Sequence, residues 1–164
     1  MVEKIVSGGQ TGADRAALDV AMELGLVAGG WIPSGRRAED GPVPQRYEGL
    51  VEAESESYDH RTELNVRDSD ATVVFSFGPP TGGSALTAEL ARSLGKSLLT
   101  LDLEHSNTDQ AVALLRSWLA EARPRVLNVA GPRLSQESRI GEATAMILRL
   151  AIPPVSRGDR EGEK

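Results

Sequence analysis

The chain has 164 residues, of which 40% are hydrophobic and 26% charged, and this composition is ordinary for one globular domain with a sizeable core. Its net charge of -6 argues against a general nucleic-acid or membrane-surface binder, since those proteins usually carry net basic charge. The absence of cysteine excludes disulfides, thiolate metal sites and cysteine catalysis, and with only two histidines we expect no structural metal.

The first predicted unit is a strand over residues 4–7, a glycine loop over 8–12 and a helix over 13–24. Thr11 and Asp14 have the spacing of a capping box, which predicts the start of that helix. A strand, a glycine loop and a helix start, in that order, present free backbone N–H groups where anionic ligands bind. The opening motif therefore raises the question of which anion the chain holds.

The next part of the chain is predicted to be less regular. Residues 27–31 predict a second strand, and residues 33–49, rich in proline, glycine and charge, predict a long loop. Such loops inside compact domains are usually functional or disordered. An edge strand is expected over residues 50–55, followed by a helix over 58–68 that Asp59 is placed to cap.

The carboxyl-terminal half alternates strands with helices. Strands are predicted over residues 71–77, 97–102 and 126–130. The first helix of this half is predicted over residues 85–94, and a second is predicted to begin at a capping box formed by Ser106 and Asp109. A third helix is predicted to follow the loop 131–138 and to end at residue 150. Residues 153–164 predict a disordered polar tail, which leaves residues 1–152 as a single ligand-binding domain.

This alternation predicts an α/β fold: a Rossmann-like, doubly wound, mostly parallel sheet with helices on both faces. In such folds ligands bind beyond the carboxyl ends of the strands. We expect a cytoplasmic protein, because no signal peptide opens the sequence and no apolar run is long enough to span a membrane.

Three predicted strands end in glycine-bearing loops, with the sequences SGGQTGAD, SFGPPTGGSALT and NVAGPRLS. A tight turn explains any one of them, but parallel strands bring all three to one edge of the sheet. The candidate oxyanion donors are the backbone N–H groups of Gly9, Gly82 and Gly83 and the hydroxyls of Thr11, Thr81 and Ser84. The first loop matches neither the P-loop nor the dinucleotide fingerprint, which disfavours ATP hydrolysis and ordinary NAD chemistry.

Arginine accounts for most of the basic residues, since the only lysines are Lys4, Lys96 and Lys164. Guanidinium groups suit bidentate recognition of oxyanions, although base composition of the genome also explains such a bias. The candidates to reach the pocket are Arg36, Arg37, Arg61, Arg133 and Arg139. The alternative for each is a solvated or ion-paired surface residue, and Glu39 and Asp40 are placed to neutralise the nearest ones.

Five segments resemble the molybdenum cofactor carrier proteins, Rossmann-like relatives of the cytokinin-activating phosphoribohydrolases in the SLOG, or lysine decarboxylase-like, superfamily. These segments are GGQTGADRAALDVA, WIPSGRRAEDGPVPQRY, YDHRTELNVRDSDATVVF, GGSALTAELA and LNVAGPR, and the resemblance extends over about residues 3–150. It implies a homo-oligomer, dimer or tetramer, that holds the molybdenum cofactor, molybdate or a nucleotide-like ligand at the strand ends. The ligand-binding residues implied by the resemblance are Gly9, Gln10, Thr11, Arg61, Thr62, Asn65, Thr81, Gly82, Gly83, Ser84, Thr87, Asn128 and Arg133.

The alternative to a carrier is a nucleoside 5'-monophosphate phosphoribohydrolase that uses Glu89 or Asp40 with an arginine. The phosphoribohydrolases carry a loop like P-G-G-x-G-T-x-x-E, whereas this chain reads PTGGSALTAE. Glu89 follows Thr87 too closely to occupy the position of the family's glutamate, which disfavours glycosidic hydrolysis. The leading hypothesis is therefore reversible capture of a small anionic ligand, with no nucleic acid or membrane partner; a sensor of a nucleotide signal is a third possibility.

Overall fold

A computed structural model of the chain describes residues 1–156 and 158. The strands in chain order are β1 Lys4–Val6, β2 Val27–Ile32, β3 Arg37–Ala38, β4 Gly41–Pro42, β5 Leu50–Glu52, β6 Ala71–Ser76, β7 Ser97–Asp102 and β8 Val126–Ala130. The helices are α1 Ala13–Glu23, α2 Tyr58–Arg67, α3 Gly82–Ser93, α4 Thr108–Ala122 and α5 Ile140–Ala151, and a 3-10 turn covers Ser34–Arg36.

Six of the strands form one sheet in the order β5-β2-β1-β8-β6-β7, and every pair in it is parallel. The chain runs outward from β1 through β2 to β5, crosses to β6 and β7, and returns to insert β8 beside β1. All six residues of β6 are buried, as expected for a central strand that is covered on both faces. The predicted Rossmann-like α/β fold is thus confirmed.

The two faces of the sheet differ in polarity. Helices α1, α4 and α5 pack together on one face, and α2 and α3 pack together on the other. The main apolar cluster lies under α1, α4 and α5 and includes Phe75 of β6 and Leu127 of β8. Because side chains alternate along a strand, Thr72 and Asn128 face the layer of α2 and α3, where the Asn128 amide contacts the Thr72 hydroxyl at 3.3 Å.

None of the helices in the described part of the chain combines the length and apolar character needed to cross a membrane.

Residues 33–49 are more ordered than the predicted long loop. They contain the 3-10 turn and the antiparallel pair β3–β4, and they bury Val43 and Tyr47 against Leu18 and Ile32. The Arg36 guanidinium holds the segment closed by donating to the carbonyls of residues 43, 44 and 47. The sequence has no periodic apolar pattern here because the backbone of this segment is irregular, so its buried side chains are not spaced as in a helix or a strand.

The three predicted amino-terminal helix caps were wrong. Helix α1 follows Gly12 and has no side-chain cap, and Ser57 rather than Asp59 precedes α2. The capping box of α4 is formed by Asn107 and Gln110, one residue beyond the predicted pair. Several residues near a helix start have capping chemistry, and the backbone conformation decides which of them is used.

The beginning of the predicted disordered tail is anchored. The Val155 N–H donates to the Leu24 carbonyl at 2.9 Å, and the Val155 side chain packs on the main apolar cluster. The remainder of the predicted tail, residues 157 and 159–164, lies outside the described residues.

Candidate functional site

A cleft opens beyond the carboxyl ends of β1 and β8, between α2 and α3. Its inner part has about 330 Å³ of space between atoms and its outer part about 590 Å³, both including space that is open to solvent, and the two parts share five lining residues. The residues lining the cleft are Gly8, Gln10, Asp14, Tyr58, Asp59, Arg61, Thr62, Asn65, Gly83, Ser84, Thr87, Asn128, Val129, Ala130, Gly131, Arg133 and Gln136.

The buried guanidinium of Arg61 lies at the base of the cleft. The residue is 9% exposed, its Nη1 lies 3.2 Å from Oδ2 of Asp14, and its Nε donates to the Tyr58 carbonyl at 3.1 Å. Gly8 leaves the space that the guanidinium occupies, since a Cβ at that position would lie 1.3 Å from Nη1. The loop between β1 and α1 and helix α2 therefore together determine the position of the Arg61 guanidinium.

Asp14 is the buried counter-ion of Arg61. Burial raises the pKa of the Asp14 carboxyl above its ordinary value, while the Arg61 charge and the hydrogen bond from the Gln10 N–H act in the opposite direction. One carboxylate thus balances one guanidinium at the base of the cleft, and several guanidinium donors remain available to a ligand.

Positive charge continues to the rim of the cleft around the ring of Tyr58. The guanidinium carbons of Arg37, Arg61 and Arg133 lie 4.5, 5.4 and 6.0 Å from the centroid of that ring. Arg133 has Glu39 as a loose ion partner, with Nε and Oε2 3.9 Å apart. The ring keeps three like charges close together in the absence of a tight carboxylate partner for Arg133.

Several polar groups of the loop between β1 and α1 bond within the protein. The Gln10 side-chain carbonyl accepts from the N–H groups of Thr11 at 3.0 Å and Glu39 at 2.9 Å, and the Ala13 N–H donates to the Pro132 carbonyl at 3.3 Å. The Thr11 hydroxyl is bonded to the Glu39 carboxylate and to the Leu134 N–H.

Two predicted ligand residues of this loop consequently lie away from the cleft. Thr11 lines a separate groove between α1 and α5. Gly9 packs on the second apolar cluster, and a Cβ there would lie 2.9 Å from Cγ2 of Ile32. Only Gln10, of the three predicted residues in the loop, lines the cleft.

The loop between β6 and α3 has unbonded N–H groups at the start of a helix. Within the described part of the chain, the N–H groups of Gly82 and Gly83 have no protein acceptor, whereas the Ser84 N–H donates to the Thr81 carbonyl. Gly83, Ser84 and Thr87 line the cleft. Helix α3 begins at Gly82, earlier than predicted, and this start places the unbonded Gly83 N–H beside the cleft.

The other predicted site residues on α2, α3 and β8 line the cleft but bond mainly to the protein. Asn65 accepts from the Trp31 N–H at 2.7 Å and donates to the Trp31 carbonyl at 2.9 Å. The hydroxyls of Thr62 and Thr87 donate to carbonyls one turn earlier in their helices. Thr81 lines an adjoining groove, and Gly82 lies at the start of α3 outside the lining of the cleft.

The acids proposed for glycosidic hydrolysis do not line the cleft. Glu89 is exposed on α3 and is absent from the cleft lining, and Asp40 forms a bidentate ion pair with Arg15 at 2.6 and 2.7 Å. Among the described residues, no group of three or more histidine, aspartate or glutamate side chains could hold a metal ion.

Several residues of the cleft were missed by sequence reasoning, chiefly Gly8, Asp14 as a counter-ion, Tyr58 and Gly131. Tyr58 could have been found from spacing, since Tyr58, Arg61, Thr62 and Asn65 fall on one helical face. Gly131 is required by packing, because a Cβ there would lie 2.6 Å from the Ala13 Cβ.

Comparison with known proteins agrees with this architecture. The family model of the circularly permutated YpsA SLOG family matches residues 5–152. The crystal structure of a "putative molybdenum carrier protein" from Syntrophus aciditrophicus superimposes with a TM-score of 0.90 at 45% sequence identity, covering 92% of this chain and 95% of that one. No functionally curated protein matches the chain. The chain belongs to the circularly permutated YpsA SLOG family.

Proposed function

We propose that this protein is a carrier that reversibly holds an anionic molybdenum compound, the molybdenum cofactor or molybdate, in the cleft. The observation that carries the proposal is the meeting of the buried Arg61 guanidinium with the open start of α3 in one cavity. Both groups donate hydrogen bonds to anions, one as a fixed cation and the other through backbone N–H groups at a helix N-terminus.

The donor set fits oxygen atoms better than it fits a bare metal ion. The cleft offers guanidinium, hydroxyl and N–H groups, and the chain contains no cysteine that could bind molybdenum through sulfur. Phosphate oxygens and the oxygens bound to molybdenum are both suitable acceptors. No histidine is among the described residues that line the cleft, so the hydroxyl groups there lack a neighbouring imidazole base to activate them, which supports capture rather than nucleophilic catalysis.

The similar protein from Syntrophus aciditrophicus supports the choice of molybdenum, because its name describes a molybdenum carrier and the two chains align over almost their full lengths. The geometry of the cleft alone would suit phosphate or sulfate equally well, since all three anions present oxygen acceptors to the same donors.

Retention of molybdenum by Arg133→Ala tests the proposal. Arg133 lines the outer cleft and has only a loose partner in Glu39, so its removal is expected to weaken molybdate binding about tenfold with little loss of stability. Affinity is measured by calorimetry, and molybdenum in freshly purified protein by native mass spectrometry with elemental analysis.

Arg92→Ala is the matched control, because Arg92 is an exposed arginine in the last turn of α3 and lies outside the cleft. Equal affinities for the two variants, or purified protein that neither contains nor binds molybdenum, would contradict the carrier function. Release of free adenine from AMP, abolished by Glu89→Ala, would favour the phosphoribohydrolase instead.

A further inference from the structure

Helix α5 is more apolar than a helix at the surface of a single chain needs to be. Its sequence, IGEATAMILRLA, contains two charged residues, Glu142 and Arg149, and one further polar residue, Thr144. The helix packs between α1 and α4 on one face of the sheet, so its outer side is turned away from the core. A helix that is apolar on nearly every side is normally buried on every side. The composition of α5 therefore indicates that its outer side is covered by another molecule.

The outer side of α5 is exposed to solvent in the single chain. Met146 and Leu150 are each 50% exposed, and Ala143 is half-buried. With 3.6 residues in each turn, Met146 lies near the middle of this side, Leu150 and Ala143 lie on one flank, and the two charged residues lie on the other. The charged flank is the one next to α1, where Arg149 forms an ion pair with Glu23. The outer side of α5 thus has an apolar centre with one apolar and one charged flank.

The neighbouring helices leave room for a partner. On α4 the short side chains of Ala113, Ser117 and Ala120 are exposed at helical spacing, and on α1 Ala16 borders the groove beside α5. The three helices are 11, 15 and 12 residues long and form a layer of about 20 Å by about 30 Å. This size is of the same order as the roughly 800 Å² that each partner buries in a standard protein–protein interface.

The two charges of α5 are complementary under two-fold symmetry. Glu142 has no ion partner among the described residues, and the Arg149 side chain remains 49% exposed beside Glu23. Glu142 precedes Met146 by about 6 Å along the helix axis, and Arg149 follows Met146 by about 4.5 Å. If two copies of α5 pack antiparallel about a two-fold axis at Met146, Glu142 comes beside the partner's Arg149, and Arg149 beside the partner's Glu142.

The same arrangement also pairs the apolar flank with itself. Leu150 follows Met146 by about 6 Å and Ala143 precedes it by about 4.5 Å, so Leu150 meets the partner's Ala143. A large side chain against a small one is a packing that lets two helices approach closely. A second copy of this chain therefore satisfies both the charge and the shape of the outer side of α5.

We propose that the outer side of α5 is the interface of a homodimer, in which two copies of α5 pack antiparallel about a two-fold axis at Met146. Every contact in such an interface occurs twice, so it has an apolar centre and two symmetry-related ion pairs. No residue of α4 or α5 lines the cleft, so the clefts of both subunits stay open to a ligand. The inference goes beyond the carrier function and does not depend on it.

Sedimentation velocity of the full chain over a range of concentrations tests the interface, and we expect twice the mass of one chain. Met146→Glu brings two carboxylates together at the two-fold axis and should raise the dimer Kd at least about 100-fold. Leu94→Glu is the matched control, because Leu94 is a 45% exposed leucine at the end of α3, on the opposite face of the sheet. It should leave the dimer Kd unchanged, and circular dichroism should show both variants folded.

Charge reversal tests the antiparallel arrangement. Glu142→Arg and Arg149→Glu should each weaken the homodimer at least about tenfold, because like charges then face each other at both contacts. The ion pair between Arg149 and Glu23 is exposed, so its loss costs little. An equimolar mixture of the two variants can form a heterodimer in which both contacts again join opposite charges. We expect this heterodimer to form with a Kd within about threefold of the unmodified protein, which a local loss of stability in either variant would not produce.

Each outcome decides for or against the interface. A dimer that Met146→Glu dissociates and that the mixed charge variants restore supports it, as does a tetramer that Met146→Glu reduces to a dimer. An unmodified protein that is monomeric at every concentration, or an oligomer whose mass is insensitive to Met146→Glu, would overturn it. If the mixed charge variants stay as weak as each variant alone, the antiparallel packing about Met146 is wrong. Molybdate binding is measured separately, so none of these results affects the carrier function.

Discussion

Two glycine loops in this molecule look alike in sequence and differ in what their backbones do. In the loop between β1 and α1, the N–H groups of Gln10, Thr11 and Ala13 donate to the Asp14 carboxylate, the Gln10 side-chain carbonyl and the Pro132 carbonyl, and those of Gly8, Gly9 and Gly12 have no acceptor in the described chain. The loop between β6 and α3 leaves the N–H groups of Gly82 and Gly83 without a protein acceptor in the described chain. Whether a glycine-rich turn after a strand can bind a ligand therefore depends on which of its N–H groups remain unbonded and whether those face the cleft.

The glycines themselves follow the same division. A Cβ at Gly8 or Gly12 would overlap another part of the protein, whereas a Cβ at Gly82 or Gly83 would meet nothing within 4 Å. Glycine in the first loop is needed for close packing, and glycine in the second leaves space beside the cleft.

Substitution of these glycines should give the largest difference in the free energy of unfolding between the two loops. In Gly12→Ala the new Cβ would lie 2.5 Å from the Pro132 carbonyl oxygen, at a backbone φ of +82°, so we expect a loss of about 3 kcal/mol in the free energy of unfolding. Gly83→Ala is the matched control and should change that free energy by less than about 0.5 kcal/mol. Urea denaturation followed by circular dichroism measures the free energy of unfolding of both variants. Similar losses in the two variants would show that the glycines of the two loops do not differ in their packing role.

Asn65 and Thr62 extend the comparison from the loops to helix α2, since both line the cleft. Asn65→Ala leaves the Trp31 N–H and carbonyl without their side-chain partner, and we expect it to cost about 2 kcal/mol and lower the Tm by about 4 to 8 °C. Thr62→Ala removes only a bond to the carbonyl one turn earlier and should shift the Tm by less than about 2 °C. Thermal unfolding in which Asn65→Ala is as stable as Thr62→Ala would show that Asn65 has no scaffold role.

The smallest effect is expected at Glu39, which ties the first loop to the loop after β8. Hydrogen bonds from Ser135 and Thr11 lower the pKa of Glu39 below its ordinary value of 4.5. The unfolded chain therefore binds the proton more readily, and the stabilisation is present above about pH 4.5 and is lost as the pH falls through the lowered pKa.

Glu39→Gln should accordingly cost about 1 kcal/mol at pH 7 and much less at pH 3, as measured by urea denaturation at the two pH values. Glu54→Gln, at another exposed acid, is the control. A cost at Glu39 that does not change with pH would mean that its carboxylate contributes nothing to holding the two loops together.

The fold was largely predictable because the central strands are short, apolar and bounded by turn residues. The observed bounds of β7 and β8 are those predicted, and β6 ends one residue earlier than expected. Residues 33–49 were not predictable in the same way, since Val43 and Tyr47 become core residues only when Leu18 and Ile32 are beside them.

The candidate site was predictable in its location and only partly in its members. The motif on α2 led to Arg61, Thr62 and Asn65, all of which line the cleft. The motif near the amino terminus predicted Gly9 and Thr11 as well, but these two residues do not line the cleft. They pack instead against residues that are distant in the sequence. Which of these residues contact a ligand remains a prediction for the binding experiments.

The sequence by itself determined the alternation of strands and helices, the parallel sheet and the edge at which polar loops gather, because each depends on local pattern and on the chirality of the chain. Only the tertiary structure decided which N–H groups stay free. The Thr11 hydroxyl accepts a hydrogen bond from the Leu134 N–H, which lies 123 positions later in the sequence, and the Gln10 side chain accepts one from the Glu39 N–H, 29 positions later. A hydrogen bond acts only over about 3 Å, so the identity of a donor's partner is set by the approach of distant segments and not by the residues beside it.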